Sequence, residues 1–415
     1  MKRSLFYFIV IYLASPFLSY SQDVSFTKEI KYIDPVDYVD DLFDISKHFD
    51  EKKIIAVGEA THGTSEFYRF KHRLFEFLVK NHGFRLFGIE AGFGEVYRIN
   101  EYLSTGVGNP KELVSDIGFW TYSTEEVLDL VNWMRSHNEE NPSDQINIYG
   151  FDFLPLEILK NVLTLLEDYE FEGAKYHKDL PDNFKKYYVV SKKEKKALRK
   201  TIANIGSEYR RFSRRNTIDS KDHYLILHHF NMLDQFFSMS NKKLSRGYYR
   251  DKKMAENIEW VMNHEDQNKM FIWAHNNHIH KKTYFLNYKS MGQHLKKNHG
   301  QGYYALGLTF NQGYFNAIDY ETRKLKEFYI RDTLSSSLGS KLEVFPYNNV
   351  FIDLNRLEQK EKKNNYFDKK ATTISIGALY NPRYNFNKSE GLSKRFDGVV
   401  HMKNTTSAVQ IDERN

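Results

Sequence analysis

Four short apolar runs of the sequence are each followed directly by ionisable side chains. These side chains are Glu59 and His62 after residues 54–57, Glu90 after 86–89, Asp152 after 146–151, and His275 and His278 after 270–274. Taken singly, each could be a cap, a turn or a structural ion pair. Ligands of open α/β sheets bind beyond the carboxyl ends of the strands, so the shared pattern predicts one polar site at that edge.

Together, these side chains could activate a water molecule for hydrolysis. A histidine flanked by carboxylates can take a proton from water near neutral pH, and the candidate histidines are His62, His275 and His278. The imidazoles that remain can donate to an oxyanion that develops on a carbonyl group. The sequence has no Gly-x-Ser-x-Gly elbow, which argues against a serine esterase. The pattern therefore favours hydrolysis by activated water.

The segments between these residues predict the framework that positions them. The apolar runs do not alternate with polar residues, as is typical of strands covered on both faces, and further runs occur at 303–308, 350–352 and 398–401. Helical spacing predicts helices over 65–81, with Gly83 as the stop, over 96–103, and over 124–137. We therefore predict an α/β fold with a mainly parallel sheet and helices on both faces.

Residues 156–264 have helical periodicity without strand patterns, which predicts a helical insertion or cap. We expect it to cover the cleft and select the substrate through an apolar patch, although core packing explains such spacing equally well. The members of that patch are Phe230, Met232, Leu233, Phe236 and Phe237. A basic run at 192–215 is interrupted by Glu194 and Glu208, which favours a solvated helix surface. Asn311-Gln312-Gly313 predicts a hairpin turn within 303–318.

Composition narrows the class of protein. The 415 residues contain no cysteine, which excludes disulfides, thiol nucleophiles and cysteine-bound metals. The net charge of +6 is modest for this length, so it does not indicate a nucleic-acid-binding protein. Residues 1–21 combine Lys2 and Arg3 with an apolar run and small residues, so we expect a signal peptide that is cleaved, leaving a domain over 22–415 without a membrane anchor. The expected location is the periplasm or the exterior.

Several separated motifs resemble the erythromycin esterase family. The resemblance is strongest over 58–103 and returns at 126–138, 150–152, 250–257, 273–278 and 396–406. It implies an α/β protein that opens a carboxylic ester or macrolide lactone with water, with His62 as the general base and Glu59, Glu90, His275 and His278 in the same cleft. It also implies a basic residue nine positions after the base, here Lys71. We expect Lys71, Asp152 and Arg250 to contact a small-molecule ester or macrolide.

Two other classes stay open. Two or three histidines with a glutamate also form a ligand set for a metal, so a metal-dependent hydrolase is one alternative, although no cofactor is required by the pattern. A non-catalytic envelope protein that binds a small molecule is another. The sequence does not indicate the oligomeric state.

Overall fold

The computed structural model describes most of the chain. The described residues are 26–35, 38–175, 177–185, 187, 190–240, 246–282, 289–333, 337–342, 346–356, 371–384, 386–389 and 391–411. The expected signal peptide at 1–21 lies outside these ranges. Within them, no helix has both the length and the apolar character that a membrane crossing needs.

A large, mostly parallel sheet forms the centre of the molecule. The strands are β1 (Thr27–Glu29), β2 (Ile54–Val57), β3 (Leu86–Gly92), β4 (Asn147–Asp152), β5 (Met270–Trp273), β6 (Tyr303–Asp319), β7 (Leu325–Arg331), β8 (Asn349–Asp353), β9 (Ala371–Ile374), β10 (Leu379–Tyr380), β11 (Phe386–Ser389) and β12 (Gly398–Thr405). The sheet order is β1-β8-β12-β6-β2-β5-β3-β4, with β7 and β10 also paired to β6, while β9 and β11 form a separate pair. The strands from β12 to β4 in this order run parallel.

Helices connect the strands and cover the sheet. They are α1 (Asp40–Phe43), α2 (Ser65–His82), α3 (Phe93–Thr105), α4 (Pro110–Ser115), α5 (Glu125–Glu140), α6 (Pro155–Asp168), α7 (Glu172–Lys175), α8 (Leu180–Lys185), α9 (Lys192–Phe212), α10 (Ser220–Ser240), α11 (Arg246–His264), α12 (Asn276–Ile279), α13 (Met291–His299), α14 (Leu338–Leu342) and α15 (Leu392–Arg395). Gly83 ends α2 in the left-handed conformation with φ 70°, and Thr124 caps α5 by accepting from the backbone N–H of Val127. Both helix boundaries follow from these residues.

Apolar cores lie on both faces of the sheet, as the continuous apolar runs predict. In β2, Ile54 and Ala56 belong to one core, whereas Ile55 and Val57 belong to the other. Successive side chains of a strand point to opposite faces, so a strand between two cores needs apolar residues at every position. The predicted fold class is confirmed.

The helices α6 to α11 occupy the interval between β4 and β5, where the sequence predicts a helical insertion. The proposed apolar patch does not present an exposed surface. Its five members, Phe230, Met232, Leu233, Phe236 and Phe237, are all buried and belong to the core on one face of the sheet. The core-packing alternative therefore describes these residues, because α10 packs on α6 and α11 and turns its apolar side inward.

The predicted hairpin turn at Asn311-Gln312-Gly313 is wrong. β6 continues through these residues, and the hairpin to β7 turns at residues 320–324 instead. Gly313, with φ 148°, serves a close approach between strands: a Cβ atom there would lie 2.2 Å from the carbonyl oxygen of Thr405 in β12. A glycine that admits a neighbouring strand resembles a turn glycine in the sequence.

Candidate active site

The central strands of the sheet carry the predicted residues to one edge. β2, β5, β3 and β4 are consecutive neighbours, and their carboxyl ends lead to Glu59, His275, Glu90 and Asp152. The pairing of β3 with β4 shifts register between Ile89 and Gly92. A bulge of this kind redirects a side chain, and it falls at Glu90.

Two glycines explain the local path of the loop after β2. A Cβ atom on Gly58 would lie 2.0 Å from the side-chain oxygen of Asn276, and one on Gly63 would lie 2.2 Å from the carbonyl oxygen of Asn316. The Gly63 carbonyl also accepts hydrogen bonds of 3.0 Å from the backbone N–H groups of Asn316 and Ala408. The loop between these glycines is therefore fixed at both ends, which holds Glu59 and His62 in place.

Glu59 is the centre of a buried group that we call the Glu59 cluster: Glu59, His62, Lys71 and Trp273. Its Oε1 atom lies 2.6 Å from Nδ1 of His62. Its Oε2 atom accepts from the indole N–H of Trp273 at 2.7 Å and from the ammonium group of Lys71. Lys71 also lies over the Trp273 ring, 4.3 Å from a ring centroid. Glu59 and Lys71 are fully buried, whereas 13% of the His62 side chain is exposed.

The charges of this cluster determine the orientation of the His62 proton. Burial opposes the charge of Glu59, but Lys71 and His62 outweigh it and hold the pKa of Glu59 below its ordinary value. Burial lowers the pKa of Lys71 to about 8, although Glu59 counteracts that shift. The ionised Glu59 therefore accepts the proton on Nδ1 of His62. The Nε2 atom of neutral His62 keeps its lone pair, and it makes no hydrogen bond with any described residue.

His275 lies beside His62, with the ring centroids 5.0 Å apart. Its Nδ1 atom accepts from the backbone N–H of Asn277 at 3.2 Å, so a neutral ring carries its proton on Nε2. That Nε2 atom is buried and has no hydrogen-bond partner in the described part of the chain. Burial, together with the neighbouring His62, lowers the pKa of His275 to about 3. His275 is therefore a neutral donor without a partner next to the candidate base.

A second group of charged side chains forms the Glu90 cluster: Glu90, Asp152, Arg250, Asp251 and His278. Arg250 bonds at 2.9 Å to both Glu90 and Asp152. His278 lies 2.5 Å from Asp251 through Nδ1 and 3.2 Å from Glu90 through Nε2. The second oxygen of Glu90 accepts from the backbone N–H of His275 at 2.9 Å. Glu90 thereby connects this cluster to the donor histidine.

The Glu90 cluster holds its groups in their charged forms. Burial alone would lower the pKa of His278, but Glu90 and Asp251 raise it to about 10. Burial would raise the pKa of Glu90, yet His278 and Arg250 hold it well below its ordinary value. The raised pKa favours the charged form of His278 at neutral pH, while its Nε2 atom also lies 3.2 Å from the guanidinium group of Arg250.

The structure brings the eight predicted site residues into these two clusters and the histidine between them. Lys71, which we expected to contact substrate, is fully buried and bound to Glu59. Arg250 comes from α11, so the helical insertion supplies part of the site. Asp251 and Trp273 also belong to the two clusters, and no role for either follows from the sequence. The available signal is position, since Asp251 directly follows Arg250 and Trp273 ends β5.

A metal site requires several histidine or carboxylate side chains that point at one position. Among the described residues, no three histidine or carboxylate side chains are arranged to hold a metal ion. In the clusters above, these side chains bond instead to one another and to Lys71, Arg250 and Trp273.

Fold and site together define an α/β protein with a carboxylate–imidazole site at the strand ends. The family model described as erythromycin esterase matches residues 79–405. The chain therefore belongs to the erythromycin esterase family, and membership indicates a hydrolase. It is 23% identical over 408 residues to the putative hydrolase YbfO of Bacillus subtilis strain 168, covering 88% of this chain and 87% of the relative. It is 24% identical over 403 residues to erythromycin esterase type II of Escherichia coli, covering 87% and 92%.

Solved structures share the fold. A succinoglycan biosynthesis protein superposes with a TM-score of 0.76 at 24% identity, over 93% of this chain and 96% of that one. A mutant of the erythromycin esterase EreC in its open conformation superposes with a TM-score of 0.71 at 13% identity, over 93% and 99%. Both similarities concern the fold of nearly the whole chain.

Proposed function

We propose that the protein hydrolyses a carboxylic ester with water activated by His62, and that macrolide lactones are the leading substrate class. The observation that carries the proposal is the pairing of an oriented base with an unpartnered donor. His62 is partly exposed and has a lone pair on Nε2, and its ring centroid lies 5.0 Å from that of His275, whose Nε2–H has no hydrogen-bond partner among the described residues.

The first step is addition of water to the ester carbonyl. His62 Nε2 removes a proton from a water molecule as the water oxygen bonds to the carbonyl carbon. The carbonyl oxygen becomes an oxyanion, which the Nε2–H of His275 stabilises. The carboxylate of Glu59 stabilises the imidazolium form of His62 that results.

The second step releases the alcohol. The tetrahedral intermediate collapses, its carbon–oxygen bond to the leaving alkoxide breaks, and His62 returns its proton to that alkoxide. In a lactone the alcohol and the acid stay in one molecule, so the ring opens with the gain of one water. Glu90 acts through the backbone N–H of His275 and through the charged Arg250 and His278, which makes it a positioning residue.

A second substrate class is an acyl ester of an envelope polysaccharide. The supporting observation is that the chain shares its fold with the succinoglycan biosynthesis protein mentioned above. The chemistry at the carbonyl group is the same, so the two candidates differ in the alcohol that leaves. An envelope substrate would also agree with the proposed export of residues 22–415 to the periplasm or the exterior, which the intact mass of the purified native protein would test.

The experiment is incubation of the purified protein with a macrolide panel and with acylated polysaccharides, followed by mass spectrometry. A macrolide that gains one water supports the leading proposal, and release of a free carboxylic acid from a polysaccharide supports the second. The matched control is His62→Asn, which keeps a similar shape but cannot act as a base. Equal conversion by wild type and His62→Asn contradicts the mechanism. Activity before and after chelation, with metal analysis, tests the metal-dependent alternative.

A further inference from the structure

The net positive charge of the chain comes from one helix and the turn after it. Residues 192–215 contain ten lysine and arginine residues and two glutamates, a net charge of +8, whereas the whole chain carries +6. The remainder of the chain therefore has a net charge of −2. Such separation produces a local field that orients the molecule toward an anionic partner.

In the structure, most of these charges are exposed on one side of α9 or in the turn after it. We define the basic face as the exposed Lys192, Lys193, Lys196, Lys200, Arg210 and Arg211 on that side of α9, together with Arg214 in the turn that follows. Ile202, Ile205 and Tyr209 point the opposite way, into the core. The two glutamates interrupt the basic run in the sequence but do not interrupt the basic face. Glu194 accepts a hydrogen bond from the backbone N–H of Ser191 at the start of the helix. At 100° per residue, Glu208 falls near Glu194 around the helix, at the margin of the basic face. These residues form the solvated helix surface that the sequence favours, and the glutamates leave its cationic side continuous.

The cations of the basic face are available to a partner. In the described part of the chain, none of the seven makes an ion pair with a carboxylate. By contrast, Arg199 at the edge of α9 bonds to Asp234 at 2.7 Å. Long lysine and arginine side chains can place their methylene groups against an apolar layer while their charges stay in a polar one.

An apolar groove borders the basic face on the side away from the glutamates. It has a volume of about 230 Å³ and lies between α9 and α10, and Ile202, Gly206, Phe230 and Phe237 form the apolar part of its lining. Arg210 and the Arg199–Asp234 ion pair form part of its polar lining. Gly206 keeps it open, because a Cβ atom there would lie 3.2 Å from the Phe230 ring. Cations beside an apolar groove suit a molecule with an anionic head and an apolar chain.

We propose that the basic face and this groove dock the protein on an anionic phospholipid surface. The lysines and arginines contact the lipid phosphates, and the groove receives part of an acyl chain. Nucleic acid fits less well, because binding of single strands relies on aromatic side chains that stack on the bases. In α9, which is described throughout, no exposed residue is aromatic. This docking is independent of the proposed hydrolysis.

The experiment is co-sedimentation of the protein with vesicles of phosphatidylcholine alone and with vesicles that also contain phosphatidylglycerol. Wild type should bind only the anionic vesicles, and less as salt rises. Each charge contributes roughly fivefold, so the triple variant Lys196→Gln, Lys200→Gln, Arg211→Gln should bind on the order of a hundredfold more weakly. Melting temperature confirms that the variant is folded.

The matched control removes three exposed lysines elsewhere, by Lys28→Gln, Lys111→Gln and Lys324→Gln, and changes the net charge equally. It should retain binding within a few-fold of wild type. Equal losses in the two triple variants would show that net charge, and not the basic face, governs binding. Absence of wild-type binding to anionic vesicles, or tighter binding to single-stranded DNA at the same salt concentration, would overturn the proposal.

Discussion

The Glu59 cluster and the Glu90 cluster each combine a buried carboxylate with a histidine and a cation, yet they leave their histidines in different situations. In the Glu59 cluster one carboxylate serves Lys71, Trp273 and His62, and one ring nitrogen of His62 stays open. In the Glu90 cluster three carboxylates surround Arg250 and His278, and both nitrogens of His278 are engaged. The Glu59 cluster thus leaves one ring nitrogen of its histidine open, whereas the three carboxylates of the Glu90 cluster raise the pKa of His278.

His275 lies between the two clusters, and its pKa shifts in the direction opposite to that of His278. It is three residues from His278, but the pKa of His275 falls to about 3 while that of His278 rises to about 10. The difference arises from the carboxylates. The ring of His278 contacts the carboxylates of Glu90 and Asp251, whereas Glu90 accepts a hydrogen bond from the backbone N–H of His275. Identical side chains therefore supply a neutral donor and a fixed positive charge to one cleft.

The largest expected effect is that of His62→Asn. Loss of a general base lowers the rate on the order of a hundred- to ten-thousand-fold, because asparagine cannot accept a proton near neutral pH. Steady-state kinetics on a substrate found in the panel described above measures the effect. The matched control is His137→Asn, since His137 bonds to the carbonyl oxygen of Asp144 before β4, at the opposite edge of the sheet. A folded His62→Asn variant with near wild-type turnover would show that the base lies elsewhere.

The next effect concerns the buried pair of Lys71 and Glu59. Lys71→Met leaves the Glu59 carboxylate buried without its cation, so the free energy of unfolding should fall by about 3–5 kcal/mol. Urea unfolding measures the change. The double variant Lys71→Met, Glu59→Gln should recover part of that stability, because it removes both charges, while remaining inactive. If Lys71→Met is as stable as wild type, Lys71 is not the partner that Glu59 requires.

The opposite pKa shifts of the two histidines predict opposite pH dependences of stability. His278 has a raised folded pKa, so its contribution is full below about 6.5 and is lost as the pH rises through about 10. His275 has a lowered folded pKa, so its contribution is present above about 6.5 and is lost as the pH falls toward 3. Each proton gives at most about 1.4 kcal/mol per pH unit.

Urea unfolding of wild type, His278→Asn and His275→Asn across this pH range separates the two contributions. His278→Asn should abolish part of the decline in stability on the alkaline side, and His275→Asn part of the decline on the acid side. Identical alkaline slopes for wild type and His278→Asn would mean that the Glu90 cluster does not hold His278 charged.

The smallest effect is expected for Trp273→Phe. The substitution removes the indole N–H that bonds to Glu59 at 2.7 Å but keeps an aromatic ring beneath Lys71. A hydrogen bond to a charged group contributes about 1.5–3 kcal/mol, and Lys71 compensates in part, so we expect a loss of about 1–2 kcal/mol. Thermal and urea unfolding measure it. A loss as large as that of Lys71→Met would place the main support of Glu59 on the indole.

The sequence predicted which residues meet, but not which of them bond to each other. Continuous apolar runs identify strands between two cores, and parallel strands bring residues such as Glu90 and His275 to one edge whatever the details of packing. The direction of Lys71 depends on the packing of α2 against the sheet, and the partner of His278 depends on α11, which reaches the site from the far end of the insertion. Protonation states follow from such contacts, so local patterns do not contain them.

Nitrogen NMR of the histidine side chains across pH 5–8 in the intact protein measures these charges directly, with each resonance assigned by its His→Asn variant. We expect His275 to stay neutral with its proton on Nε2 and His278 to stay an imidazolium throughout this range. Parallel titration of His275 and His278 near the ordinary histidine pKa would contradict this expectation, because the two clusters would then not determine the charges of the cleft.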